Sequence, residues 1–361
     1  MTTYTNIADQ TATSKLGTYV HAPSVQRLTP YCRINGDPVG RNWVAVDLRC
    51  RSRGDVFAAF GNVTQTREMF KRIPQGVGRP PVQKKLLLGL VVAGIKSSMS
   101  YRNLEGFGVG LANFVQVDAK LAPDHTTLNK FISQADYSRL ETMLATIIVF
   151  DKPKIVHVAI DATGLSLQRS GGWLADKPGG DARKGKYRKW HVVTDVQTGF
   201  IVAWELTKAY GPYSTDVEVG PDLIRTANEI SGNTIETVCA DGAYTSNDCF
   251  TATAGIEAVL LTPLPSDAVY SNKNSPKDKQ PTDRDRLLTQ QTRIGMVLWK
   301  QRSGYHDRSQ AETTFSVTEK AYNNELLHKN EHNQRVEIII KTRLYNQAIM
   351  VGQGALAPWV L

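Results

Sequence analysis

The spacing of hydrophobic residues along this chain changes near residue 150. Between residues 55 and 150 apolar side chains recur at near-helical spacing, and the run at residues 82–95 predicts a buried helix. Two shorter helices are predicted at residues 100–106 and 122–132, the second capped by Asp124 or Thr126. Two short helices joined by a glycine-bearing turn suggest a helix-turn-helix, although a plain helical scaffold explains the pattern equally well.

Beyond residue 153 the pattern becomes one of short apolar runs that predict strands. Strands are expected at residues 155–160, 190–194, 200–206, 237–240 and 258–261, with Asp195 in the hairpin turn between the second and the third. Helices are expected at residues 216–230, 308–327 and 331–352. This order predicts an α/β fold, a ribonuclease-H-like mixed sheet flanked by helices.

These changes of pattern divide the chain into segments. Residues 1–54 are polar and threonine-rich without a sustained period, so we expect an irregular leader. We expect an all-helical N-terminal domain at residues 55–150, the α/β domain at 151–352 and a tail at 353–361. Residues 263–304 are expected to be a polar insertion, whose part up to residue 286 is rich in Pro, Ser, Asp and Lys and predicts an exposed excursion.

Charge and composition narrow the choice of partners. The 361-residue chain has 43 Lys and Arg against 34 Asp and Glu, and the formal charge of +9 favours nucleic acid over a membrane. The longest apolar run is too short to cross a bilayer, and the N-terminal residues do not resemble a signal peptide, so we expect a cytoplasmic protein. The four cysteines lack the spacing of a zinc site.

Two aspartates directly follow predicted strands. Asp161 ends the run at residues 155–160 and Asp241 ends the run at 237–240, so both are expected at one edge of the sheet, where they can converge. A carboxylate at such a place costs desolvation energy unless a cation meets it. The small neighbours Gly164, Gly242 and Ala243 leave room for a phosphate backbone and a hydrated metal ion. Taken singly, each aspartate is better explained as a turn or helix cap.

Glu312 is the third acidic candidate. It lies four residues after Arg308, so both side chains share one face of a predicted helix. In isolation a surface ion pair explains this spacing better, and such a pair contributes about 0.3 to 0.5 kcal/mol. Joined to Asp161 and Asp241, Glu312 completes a set of three carboxylates.

Three carboxylates are a set of oxygen ligands that suits Mg²⁺ or Mn²⁺. Two such ions roughly 3.5 to 4 Å apart would activate an attacking oxygen and stabilise the leaving oxygen of a phosphodiester. The predicted chemistry is phosphoryl transfer at DNA, with Asp161 and Asp241 as shared metal ligands and Glu312 completing the site.

The strongest nucleic-acid signal is the basic segment at residues 183–191. Its cationic residues are expected to neutralise phosphates, and Tyr187 or Trp190 to stack on an unpaired base. A solvated basic loop is the alternative, while His157 and His191 are expected to be structural. The cations of this segment are Arg183, Lys184, Lys186, Arg188 and Lys189.

At these residues the sequence resembles the DDE transposases of bacterial and archaeal insertion sequences, in particular the group with a tyrosine-arginine-glutamate-lysine signature. Residues 161–165 resemble the motif of the first aspartate and residues 240–244 that of the second. Tyr305, Arg308 and Glu312 match the third motif. The signature usually has its lysine seven positions after the glutamate, where this chain has Glu319, followed by Lys320. The resemblance covers most of the chain and is closest to the compact members.

The resemblance implies a transposase that cuts the ends of an insertion sequence and joins them to target DNA, with Mg²⁺ as cofactor and Mn²⁺ as a substitute. It implies that residues 100–134, within the helical DNA-binding domain at 55–150, bind the terminal inverted repeats. The implied partner is double-stranded DNA, both the terminal inverted repeats and the target, and the protein is expected in a prokaryotic cytoplasm, associated with the nucleoid when bound to DNA. Tyr305, Arg308 and Lys320 are expected to contact DNA, and Arg308 to orient Glu312 or hold a phosphate. Pairing of two ends implies a homodimer or a larger assembly.

Two alternatives share these features. A metal-dependent nuclease of the same fold would cut DNA without joining it. A catalytically inactive derivative would bind DNA without cutting it.

Overall fold

The computed structural model describes residues 31–34, 37–41, 55, 60, 62–74, 80–145, 155–167, 187–271 and 281–352. Within the predicted leader, strands β1 (Tyr31–Ile34) and β2 (Asp37–Arg41) form an antiparallel pair, so this segment is not wholly irregular. Neither segment is a run of apolar residues, and β2 contains Pro38 and Gly40, so the sequence does not predict them as strands. The other leader residues and the tail at 353–361 lie outside the described residues.

The N-terminal half is helical, as predicted. Its helices are α1 (Val63–Met69), α2 (Lys84–Lys96), α3 (Tyr101–Phe114), α4 (His125–Ser133) and α5 (Tyr137–Ala145). Asp124 caps α4 by accepting a hydrogen bond from the backbone N–H of Thr127, one of the two predicted caps. Helix α3 continues two turns beyond the predicted end at Gly106, because packing of the helix outweighs the low helix propensity of its glycines.

A mixed sheet forms the second half, in the order β5-β4-β3-β6-β7. Strands β3 (His157–Leu167), β4 (Tyr187–Asp195) and β5 (Ile201–Lys208) are antiparallel neighbours, whereas β6 (Thr237–Ala240) and β7 (Val259–Leu261) continue the sheet in parallel with β3. A short strand, β8 (Glu325–Leu326), pairs with the far end of β3.

Helices cover both faces of this sheet. Helices α6 (Asp216–Ser231) and α7 (Asn247–Gly255) lie with one hydrophobic core, and α10 (Ser309–Tyr322) and α11 (Glu331–Gly352) contribute to the other. The fold is therefore a ribonuclease-H-like mixed sheet flanked by helices and preceded by a helical region. Among the described residues, no helix is both long enough and apolar enough to span a membrane.

The helical region shares a core with the sheet. One cluster of buried side chains contains Leu90 of α2, Trp190 of β4 and Ile340 of α11. Across the same boundary Arg343 forms an ion pair with Glu141. The domain division at residue 150 remains a prediction, because the hydrophobic core continues across it.

The predicted polar insertion contributes to the core in its second part. Residues 263–304 include helices α8 (Asp283–Ile294) and α9 (Met296–Arg302). Leu287 and Leu288 are buried, and Gln291 donates from Nε2 to the carbonyl oxygen of Thr262 over 2.8 Å. The prediction of an exposed excursion up to residue 286 was therefore wrong at the start of α8, where Asp285 is buried; residues 272–280 lie outside the described residues.

Candidate active site

Asp161 and Asp241 leave the parallel part of the sheet at the same level. Ile160 of β3 pairs with Ala240, the last residue of β6, so each aspartate is the next residue along its chain segment. The prediction that Asp161 ends its strand was wrong, because β3 continues to Leu167 through its pairing with β4 up to Ser166 and with β8 at Leu167. The continuously buried part of β3 ends at Ile160, where its parallel neighbour β6 also ends.

Asp241 forms a helix cap in addition to its place beside Asp161. Its Oδ1 accepts a hydrogen bond of 2.9 Å from the backbone N–H of Ala243 and so caps the 3₁₀ turn Gly242–Tyr244. Its carbonyl oxygen accepts a hydrogen bond of 2.6 Å from Thr262 Oγ1. Asp241 therefore caps the turn after its strand, as the local sequence suggests, and it also lies next to Asp161 at the sheet edge.

Arg308 joins the other two carboxylates. Its Nη1 donates to Asp161 Oδ2 over 3.1 Å, and its Nη2 donates to Glu312 Oε1 one helical turn further along α10. The Asp161 side chain is 17% exposed and that of Glu312 is 54% exposed. The guanidinium therefore links a mostly buried carboxylate on the sheet to an exposed carboxylate on a helix.

The segment before α10 holds Arg308 in this position. Gly304 has φ of +77°, in the left-handed region that favours glycine, and the 3₁₀ turn Tyr305–Arg308 follows it. The Tyr305 ring is 8% exposed and lies 5.5 Å from the buried Trp299 ring, measured between centroids. Tyr305 is therefore packed at the start of the turn that ends at Arg308, and little of its ring is accessible to DNA.

Asp161 is close enough to Asp241 and to Glu312 for both charges to act on it. Burial raises the pKa of Asp161, the Ala162 N–H and the charge of Arg308 lower it, and the charges of Asp241 and Glu312 raise it further. A carboxylate that is both buried and close to two others creates a concentration of negative charge. A cation at this place would relieve that repulsion.

The residue types fit a divalent ion, and Arg308 competes with such an ion for the same oxygens. Carboxylate oxygens are the ligands that Mg²⁺ and Mn²⁺ prefer. Among the described residues, however, no group of three or more His, Cys, Asp and Glu side chains is already arranged to hold a metal ion. The Arg308 bonds occupy one oxygen each of Asp161 and Glu312. An ion shared by these two carboxylates would have to displace at least one Arg308 bond.

The described part of the predicted basic segment is largely engaged within the protein. Arg188 donates from Nε to Gln334 Oε1 over 2.8 Å, and Lys189 donates from Nζ to Asp216 Oδ2 over 2.7 Å. Trp190 is 1% exposed, because β4 is buried without interruption from this residue to Asp195, and the prediction that it stacks on a base was wrong. Tyr187 remains exposed, whereas Arg183, Lys184 and Lys186 lie outside the described residues.

Lys320 lies at the surface of the protein and His191 lies in its interior. Lys320 is exposed in the last turn of α10, and a DNA contact for it remains a prediction. His191 is fully buried, as expected for a structural histidine. The DNA-binding role of the helical region also remains a prediction.

Sequence reasoning missed one buried network beside the site. The Tyr244 hydroxyl donates to Asp216 Oδ1 over 3.3 Å, and Asp216 also pairs with Lys189 and lies near His191. Asp216 had been predicted only as the start of a helix. The signal in the sequence is Gly220, four residues after Asp216 on the same helical face, where the Tyr244 ring packs.

Comparison with known proteins identifies the domain that carries these residues. A family model described as a transposase DDE domain matches residues 152–347, which is more than half of the chain and includes Asp161, Asp241 and Glu312. No solved structure matches the chain.

Proposed function

The chain belongs to the transposase DDE-domain family, and we propose that it cuts the ends of an insertion sequence and joins them to target DNA by phosphoryl transfer. Transposases of this family act on DNA and generally use divalent metal ions. Beyond membership of the family, we propose the element ends as substrate, the joining reaction, the residues that bind the metal ions, and Mg²⁺ as the ion.

The contact between Arg308 and Asp161 carries this proposal. An ion pair between Arg308 and Glu312 alone would be an ordinary surface feature of a helix. Arg308 also reaches Asp161, which is 147 residues earlier in the chain. Asp161 in turn lies beside Asp241 through the pairing of Ile160 with Ala240. One cation thus links the third motif to the sheet edge that carries the first two.

We propose that Asp161, Asp241 and Glu312 hold the divalent ions. Bound Mg²⁺, or Mn²⁺ in its place, supplies activation of the attacking oxygen and stabilisation of the leaving oxygen. The exposure of Glu312 supports a role on the side from which DNA would approach. Because its partner Asp161 is mostly buried, the two carboxylates would bracket the site from the solvent side and from the sheet.

Arg308 has two roles in this scheme. While it bonds to Asp161 and Glu312 it neutralises their charge and keeps both side chains turned toward one point. When it releases one of them, its planar guanidinium is free to donate to a phosphate oxygen, a geometry that a lysine does not reproduce. The packed Tyr305 ring fixes the start of the turn that ends at this arginine.

The DNA partner would be held by more than the active site. We propose that the helical region at residues 55–150 binds the terminal inverted repeats and that Lys320 contacts the backbone near Glu312. Tyr305 acts through Arg308 in this proposal. Pairing of two element ends would require at least two copies of the chain.

The test is Mg²⁺-dependent cleavage of DNA that carries the ends of the element. Asp161→Ala, Asp241→Ala and Glu312→Ala should each give no cleavage product while DNA binding is retained. Asp222→Ala is the matched control, because Asp222 also forms an ion pair with an arginine but is exposed on α6. Full cleavage by all three variants would show that these carboxylates are not the site.

Two further assays separate the alternatives. A pre-cut element end and an intact plasmid are incubated with the protein, and joined product supports transposition, whereas cutting without joining supports a nuclease. If Mg²⁺ and Mn²⁺ both yield no product although the DNA is bound, the chain is a DNA-binding derivative without catalysis.

A further inference from the structure

We infer that Tyr244 is a positioning residue for DNA cleavage, which holds the turn carrying Asp241, and that Asp216 is its anchor. The inference rests on the proposed function of Asp241 as a metal ligand. Asp241 and Tyr244 stand at the two ends of one 3₁₀ turn, so a restraint on the tyrosine acts on the aspartate three residues earlier.

The Tyr244 ring occupies a slot in helix α6. Its exposure is 1%, and a Cβ added at Gly220 would lie only 2.8 Å from Tyr244 Cδ1. Any larger residue at position 220 would therefore displace the ring. Asp216 lies four residues before Gly220 on the same helical face, so one face of α6 both admits the ring and binds its hydroxyl.

Asp216 is itself fixed by the sheet and by the start of its helix. Its Oδ2 accepts from Lys189 Nζ over 2.7 Å, and its Oδ1 lies 3.3 Å from Nδ1 of His191. Thr215 and Glu218 form a capping box around the first turn of α6. The acceptor of the tyrosine hydroxyl therefore has little freedom to move.

This anchor matters because the Asp241 carboxylate has two tasks. It caps the turn by accepting from the Ala243 N–H, and in the proposed function it also binds a metal ion. A carboxylate oxygen drawn toward a cation holds its cap less well. The bond from Tyr244 to Asp216 holds the turn from its other end, so that Asp241 can bind an ion without the turn unwinding.

The test compares Tyr244→Phe with Tyr213→Phe. Both variants lose only a hydroxyl, and the Tyr213 hydroxyl also donates to an aspartate of α6, Asp222, but at an exposed position. The first readout is hydrogen–deuterium exchange without metal. Tyr244→Phe should speed exchange in a peptide covering residues 241–246 relative to Tyr213→Phe, while a peptide covering residues 309–322 should be unchanged.

The second readout is cleavage as a function of Mg²⁺ concentration. Tyr244→Phe should lower the rate roughly tenfold at limiting Mg²⁺, recover part of the loss at high Mg²⁺ and bind DNA as tightly as Tyr213→Phe. Identical exchange and identical metal dependence in the two variants would overturn the inference. If the wild-type protein itself does not cleave DNA, the proposed function fails. The exchange experiment still decides the role of Tyr244 in that case.

A change of the anchor keeps the inference testable if Tyr244→Phe is poorly folded. Asp216→Asn keeps an oxygen acceptor for the tyrosine, whereas Asp216→Ala removes it. Exchange at residues 241–246 should be faster in Asp216→Ala than in Asp216→Asn, and equal exchange in the two would overturn the inference.

Discussion

Arg308 donates a hydrogen bond of 3.1 Å to Asp161 although the two residues are 147 positions apart in the chain. The same guanidinium bonds to Glu312, its neighbour one helical turn away. This arginine is therefore the physical link between the sheet edge and the helix in the proposed active site.

Arg308→Lys should lower the cleavage rate while leaving DNA binding almost unchanged. A lysine ammonium cannot present two parallel donors, so it can satisfy Asp161 or Glu312 but not both in the same geometry. We expect roughly a hundredfold loss in rate, as when a well-placed electrostatic contact is removed. The measurement is single-turnover cleavage. Arg225→Lys, which changes an exposed ion pair with Asp222, is the control and should cleave at the wild-type rate.

Gly220→Ala should destabilise the protein and slow cleavage, because the new Cβ would lie 2.8 Å from the Tyr244 ring. The expected loss in free energy of unfolding is about 1 to 3 kcal/mol. Gly106→Ala is the matched control on helix α3, since nothing lies within 4 Å of its added Cβ. This control should be neutral or should stabilise by about 0.5 to 1 kcal/mol. Urea unfolding of both variants measures the difference, and equal stability would show that the slot is not tight.

Asp216 should make stability depend on pH in the acidic range. Burial raises its pKa, but the nearby His191 ring and the hydrogen bond and charge of Lys189 lower it to about 2. A carboxyl group with a depressed pKa stabilises the fold above its unfolded pKa of about 3.9, and this contribution is lost as the pH falls toward 2. Asp216→Asn should therefore cost on the order of 2 kcal/mol at pH 7.

The pH dependence of that difference is the decisive part. The gap in unfolding free energy between wild type and Asp216→Asn should be constant from pH 7 to about 5 and should shrink between pH 4 and 2. Chemical denaturation at several pH values measures it. A gap that stays constant down to pH 3 would contradict the assignment of the low pKa to this network.

Lys341→Met should strongly destabilise the protein. Glu337 is fully buried on α11, its Oε1 lies 2.8 Å from Lys341 Nζ, and its Oε2 lies 2.7 Å from His328 Nδ1. Removing the lysine leaves a buried carboxylate with only part of its compensation, at an expected cost of about 3 kcal/mol or more. The double variant Glu337→Gln/Lys341→Met should lose less than the sum of the single losses. Additive losses would mean that the two side chains do not act as a pair.

Lys320 and Lys189 should behave differently toward salt, because one is exposed and the other is paired with Asp216. Lys320→Gln should reduce the slope of log affinity for DNA against log salt by about 0.9, the value for one phosphate contact. Lys189→Gln should leave the slope unchanged and lower the melting temperature. DNA binding titrated at several salt concentrations tests both, and an unchanged slope for Lys320→Gln would remove it from the DNA surface.

The parts of the fold that could be predicted from the sequence are those built from local pattern. Strand β6 and helix α11 have the predicted limits. A short apolar run marks the strand, and a long stretch of helical periodicity marks the helix. The second half of β3 was missed because residues 162–167 are held by pairing with β4 and β8 rather than by an apolar run. The pair β1 and β2 was missed because neither strand is a run of apolar residues and β2 contains Pro38 and Gly40.

In the candidate site, too, the contacts that could be predicted are those between residues close in sequence. The spacing of Arg308 and Glu312 predicted their ion pair on one helical face, and that pair is present. No local pattern could indicate that Arg308 also reaches Asp161, or that Lys189 bonds to Asp216 instead of remaining on the surface. Both contacts depend on how elements that are far apart in the chain pack together. Neither contact can be predicted from the sequence of one segment alone.

The central claim, that Asp161, Asp241 and Glu312 share divalent ions, is tested most directly by iron-directed cleavage of the protein backbone. Fe²⁺ replaces Mg²⁺ in the presence of DNA ends, and ascorbate with peroxide then generates radicals that cut the chain close to the bound ion. If the three carboxylates share the ions, we expect fragments that end near residues 161, 241 and 312 together, and we expect these fragments to disappear when excess Mg²⁺ is added. Cuts at other places, or cuts near one of these residues but not near the other two, would contradict it.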